Sequence, residues 1–89
     1  MEKIKISNDQ GLEKEYDVIF EFTSKNDHQH YIVYTNYEKD ENNNINCYAS
    51  IYKDNKLKEV TETTEINYIT SMLEAIANKA KTKYKLEDN

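Results

Sequence analysis

His28 and His30 form an H-x-H pair beside Asp27, and Cys47 lies in a separate segment. Imidazole and thiolate are donors that a zinc ion accepts. A structural zinc site needs four ligands, and the chain has no second C-x-x-C or H-x-x-x-H half. Cys47 with a histidine is also a pairing of nucleophile and base. No helix N-terminus or C-x-x-C spacing marks this cysteine as activated, so it reads first as a small buried hydrophobe. The histidines read as solvated residues near a loop. No catalytic, metal or cofactor-binding residue is assigned, and the chain is expected to be no enzyme.

The carboxylates form two groups. Glu13, Glu15, Asp17 and Glu21 alternate along one stretch, and Glu38, Asp40 and Glu41 share another. Paired carboxylates do acid–base work only in a cleft that separates their pKa values. On an open strand they solubilise and guard an edge. The second group lacks the D-x-D-x-D-G spacing of a calcium loop. A single glycine, Gly11, leaves no material for a phosphate-binding loop.

Two hydrophobic rhythms must position these residues, and they change near Thr61. Ile4 and Ile6 alternate with Lys3 and Lys5, and a turn-rich run from Ser7 to Gly11 follows. Leu12, Tyr16, Val18, Phe20 and Phe22 then fall on even positions, opposite Glu13, Glu15, Asp17 and Glu21. Ile19 breaks the polar side. His30 to Tyr37 is apolar on both faces, with Tyr31, Val33, Thr35 and Tyr37 on one and Ile32 and Tyr34 on the other, which places it centrally. Between Asn46 and Tyr52, Cys47, Ala49 and Ile51 alternate with Tyr48, Ser50 and Tyr52. Asp54-Asn55 then suits a tight turn before a short strand. Past Thr61, Ile66, Ile69, Leu73, Ile76 and Ala80 recur at helical spacing. Thr63 or Thr64 suits the helix cap, and the lysines from Lys79 to Lys85 suit its end. Glu87 to Asn89 should fray.

The reading is a single α+β domain over residues 1–89: an antiparallel β-meander of four to five strands, then one C-terminal helix packed on one sheet face. The strands fall at about 3–7, 14–22, 30–37, 46–53 and 57–60, and the helix at about 64–83. Ile66, Ile69, Leu73 and Ile76 are expected to pack on the even-numbered face of the second strand.

Composition narrows the function. Hydrophobic residues make up 37% and charged residues 33%, yet eight Tyr and two Phe give more core material than disordered segments carry. A net charge of −5 repels phosphate backbones, so direct nucleic-acid binding is not expected. One cysteine, no signal-peptide pattern and no long apolar run give the expectation of a cytoplasmic protein with no membrane partner. The Lys-, Asn- and Ile-rich usage, with no Pro or Trp, fits AT-rich coding, as in a low-GC bacterium.

Several segments in order carry a resemblance. EYDVIFEF (Glu15 to Phe22), HYIVYT (His30 to Thr35), an acidic loop, IYKDNKLKEV (Ile51 to Val60) and an acidic lead into a helix resemble the YrzB-like family of small bacterial proteins of unknown function. The resemblance spans roughly Ile4 to Ile76. It departs at Asp54-Asn55, where the family often has Asp-Gly, and at Glu59-Val60, where it often has Pro. It also departs at Glu65-Ile66, where the family often has an acidic stretch ending in Trp. The resemblance implies a small acidic cytoplasmic protein and carries over no catalytic or binding residue.

One helix can cover only one face of the sheet. The other carries some of Ile19, Ile32, Tyr34, Tyr48 and Tyr52, a candidate interaction surface, since Tyr is enriched in interface cores. The leading expectation is therefore a non-enzymatic protein-interaction or regulatory module that binds an unidentified protein or a second copy. The alternative is an acidic inhibitor that mimics nucleic acid and occupies a basic groove. The third is a small metal or thiol protein using Cys47, His28 and His30.

Overall fold

The computed structural model describes residues 2–7, 10–25, 28–54, 56–80 and 84–86, with residues 79, 80, 84 and 85 described in backbone only. Five antiparallel strands form a meander: β1 (Lys3–Ser7), β2 (Glu13–Thr23), β3 (His30–Thr35), β4 (Ile45–Lys53) and β5 (Lys56–Glu59). Helix α1 (Thr63–Ala80) follows. A sixth strand, β6 (Tyr84–Leu86), pairs in parallel with Ile45 to Cys47 of β4. The α+β meander with a C-terminal helix is thus present, and β6 is an addition, over residues that the sequence reading assigned to no strand. The expected helix end at Lys83, the turn residues Asn8, Asp9 and Asn55, and the tail from Glu87 to Asn89 lie outside the described residues. So does Asp27.

The turns follow local chemistry. Gly11 has φ 78° in the β1–β2 connection, a conformation that costs glycine little. Asp54 has φ 53° at the end of β4, as expected for a residue that tolerates positive φ. Asp40 organises the acidic loop: its carboxylate accepts from the backbone N–H groups of Asn42 and Asn44, both at 2.9 Å. Tyr37 was expected inside the third strand. It instead has φ 65°, which ends the strand at Thr35.

The helix begins one residue earlier than its threonines suggested. The Ile66 amide donates to the Glu62 carbonyl at 3.0 Å, so Glu62 stands at the cap and Thr63 is already in the helix. Among the described residues, Ile69 and Leu73 are the helix residues buried against the sheet. Ile66 and Ile76, expected beside them, are only half-buried.

One irregularity rearranges the expected faces. The β2–β3 register runs Asp17 to Thr35 and Val18 to Tyr34, then resumes at Phe20 to Val33. Ile19 is the extra residue of a β-bulge, and it flips the alternation of everything beyond it. The even positions of β2 therefore do not share a face. Phe20 and Phe22 lie under the helix with Tyr31, Val33, Cys47, Ala49, Ile69 and Leu73. Tyr16 and Val18 lie on the opposite, open face with Ile32 and Tyr34. The expectation that all four even residues meet the helix is corrected by this bulge.

Candidate functional site

The open face is built from alternate positions of five strands. Val18, Ile32 and Tyr34 are buried there, with half-buried Ile4, Ile6, Tyr16, Tyr48 and Leu57 packed against them. The Tyr rings close much of this surface. Tyr16 stands edge-on to Tyr34 and Tyr48, with ring centres 5.2 and 5.8 Å apart, and Tyr34 stacks with Tyr48 at 5.8 Å. Such pairs add about 0.5–1.5 kcal/mol beyond their area. Tyr34 Oη lies 2.9 Å from Ser50 Oγ, so a buried hydroxyl has its partner. Burial pushes the Tyr34 pKa up, and the Ser50 hydrogen bond acts against that shift.

Four of the five expected surface residues are brought to this face: Ile32, Tyr34, Tyr48 and Tyr52, the last 41% exposed. Ile19 is not. As the bulged residue it packs with the helix-side cluster. Tyr16, Val18, Ile4, Ile6 and Leu57 join the face without having been assigned to it. The register of β1 with β2 (Ile4 to Tyr16, Ile6 to Lys14) puts the two isoleucines beside Tyr16. A strict alternation through Ile19 hides this arrangement.

Charge is divided unevenly between the two sides. By register, the charged positions of the open face are Lys14, Glu21 and Glu59, all exposed. The acidic ladder of Glu13, Glu15 and Asp17 lies on the helix side, level with Lys3 and Lys5. Lys3 Nζ sits 3.3 Å from Glu15 and 3.2 Å from Asp17. The Tyr37 hydroxyl donates to Asp17 at 2.8 Å and, with Lys3, holds the Asp17 pKa below its ordinary value. Lys14 reaches Glu38 at 3.9 Å. Among the described residues, Glu15, Asp17 and Glu38 are thus each paired with a lysine.

The residues of the metal and thiol reading are separated in role. His28 is exposed with φ 57°. His30 lies between Thr23 Oγ1, 3.0 Å from Nδ1, and Glu21 Oε2, 3.2 Å from Nε2. A neutral ring protonated on Nε2 satisfies both: the Thr23 hydroxyl donates to Nδ1 and Nε2–H donates to Glu21. This order of hydroxyl, imidazole and carboxylate mimics a nucleophile relay. The His30 and Glu21 side chains are 35% and 50% exposed, so the group lacks the water-excluding walls such a relay works in. Among the described residues no group of three or more His, Cys, Asp or Glu is placed to hold a metal ion.

Cys47 is fully buried in the helix-side core. Burial pushes its thiol pKa up to about 12 from an ordinary 9.0, the reverse of activation. Two outcomes follow. A thiol reagent at mildly alkaline pH should leave native Cys47 unmodified and label it once denaturant is added; rapid native labelling would contradict the placement. The linkage also has a sign. Above pH 9 the unfolded thiol loses its proton while the native one keeps it, so this contribution to stability is complete below pH 9 and falls as pH rises toward about 12. Its slope approaches roughly 1.4 kcal/mol per pH unit, and a Cys47→Ala variant should lack it.

A cleft of about 770 Å³ lies where the start of α1 crosses the end of β2. Phe22, Tyr31 and Ile69 line it with Tyr68, Glu62 and Lys25. Phe22 stacks on Tyr31 at 5.0 Å and meets the 56% exposed Tyr68 at 5.4 Å. Sequence reading assigned no site here, because the cleft depends on how the start of α1 sits over the end of β2, which no local pattern records. No helix among the described residues is long and apolar enough to cross a membrane. No family model, curated protein or solved structure matches the chain.

Proposed function

We propose that the protein is a non-enzymatic interaction module that works through the open face of its sheet, with a second copy of the chain as the occupant. The observation that carries this reading is the division of charge. A chain of net charge −5 repels its copies, yet the acidic ladder lies on the helix side and the open face has an aromatic and aliphatic centre. Two such faces can stack at the usual sheet spacing of about 10 Å without opposing their ladders. The nucleic-acid mimic draws less support, because Lys3 and Lys14 sit within the acidic groups that would imitate phosphates.

Light scattering over a concentration series tests the reading. Wild type should form a dimer, and Tyr48→Lys, which sets a charge at the centre of the face, should weaken it by at least about tenfold, or ~1.4 kcal/mol. Lys58→Glu, exposed on the other side, should change little. A strict monomer, or a dimer indifferent to Tyr48→Lys, would reject it.

A further inference from the structure

We propose that the outer edge of β2 from Ile19 to Thr23 accepts an extended segment of another protein as an added strand, with apolar residues facing the cleft beside Phe22 and Tyr68 and a basic residue facing Glu21. Three observations lead there. First, β1 covers only half of β2. Their register ends at Lys3 with Asp17, and the last bond on that side runs from the Val18 amide to the Glu2 carbonyl at 2.8 Å. Beyond it, no strand among the described residues pairs with β2 on its outer side. Backbone donors and acceptors at such an edge are matched by another strand.

Second, this edge carries no lysine beyond the bulge at Ile19. The two outermost strands of the meander carry the lysines that discourage edge pairing: Lys3 and Lys5 on β1, Lys56 and Lys58 on β5. The segment Ile19-Phe20-Glu21-Phe22-Thr23 has β-branched and aromatic residues, one charge and no lysine or proline.

Third, the two sides of an added strand would meet different surroundings. Its helix-side residues would point toward the cleft with Phe22 and Tyr68. Its alternate residues would lie level with Glu21, whose charge is exposed on the open face. Opposite charges across neighbouring strands attract and like charges repel. A segment alternating apolar and basic residues therefore fits. A second copy pairing antiparallel about the centre of this edge would set Glu21 against Glu21, with a net charge of −5 on each chain.

The test uses the full chain and a short synthetic peptide of alternating valine and lysine. Two controls are a valine–glutamate counterpart and a peptide of the same charge interrupted by proline, which cannot extend a ladder. Amide exchange followed by NMR should show added protection at the outward amides of Ile19 to Thr23. The lysine peptide should bind about fivefold more tightly than the glutamate peptide. Glu21→Gln should remove that preference and Glu21→Lys should reverse it. Tyr48→Lys should leave peptide binding unchanged, so a failure here and a failure of the open-face dimer are separate results. Equal binding of the proline peptide would reduce the effect to bulk charge and overturn the proposal. So would protection confined to other strands. Concentration-dependent protection of this edge without peptide would assign it to a second copy and overturn it as well.

Discussion

Deletion of Ile19 should leave a folded protein with the same residues on each face of its sheet. The register skips Ile19 between Val18, level with Tyr34, and Phe20, level with Val33. Without it Val18 and Phe20 are consecutive, and strict alternation keeps Tyr16 and Val18 on the open side and Phe20 and Phe22 under the helix. The cost is the partly buried Ile19 side chain, about 1.5–3 kcal/mol at most, together with the local bend of the bulge. A chain of 89 residues has roughly 5–10 kcal/mol in hand, so the fold survives. Circular dichroism and denaturant titration would measure the outcome. Ile19→Ala keeps the bulge and removes only a partly buried side chain, so it should cost less than about 2 kcal/mol. A deletion variant that is unfolded would show that the bend of the bulge, beyond its side chain, holds β2 in place.

Leu73→Ala should destabilise by about 2–4 kcal/mol in denaturant titration. Leu73 is 2% exposed and, with Ile69, brings the helix into the buried cluster of the helix side. Removing it costs the transfer of its methyl groups and leaves a cavity between two rigid layers. Ser71→Ala, on the exposed side of the same helix, should stay within about 0.5 kcal/mol. Similar small effects for both would mean that the helix is not held by this seam.

The strands were legible because most of them obey one period. Lys3–Ser7 was read to the residue, and the two-faced apolar character of His30 to Thr35 marked a central strand. The helix was legible in Ile69 and Leu73. The bulge was not, because its sole sign was one isoleucine among acidic residues, with no glycine to mark an irregular backbone. That single miss set Tyr16 and Val18 on the wrong side and listed Ile19 on the open face. Strand β6 was obscured for another reason: Tyr84-Lys85-Leu86 is short, and its pairing depends on distant Ile45 to Cys47. Such a partnership leaves no local pattern. Cys47 was read correctly as a small buried hydrophobe, since a cysteine alternating with Ala49 and Ile51 behaves as one of them.

Strand β6 also bears on the order in which the protein assembles. Every other strand pairs with its neighbour in the chain, across a short hairpin whose closure takes microseconds. The parallel ladder instead joins Ile45 to Tyr84, about forty residues apart, and requires α1 to be in place between them. Loop-closure entropy is spent before that ladder returns any contact. The meander is therefore expected to form early and β6 to dock last, as a latch. Until it does, the lower half of β4 is a transient free edge on a nascent chain, and the time to latching sets how long that edge stays open to other chains.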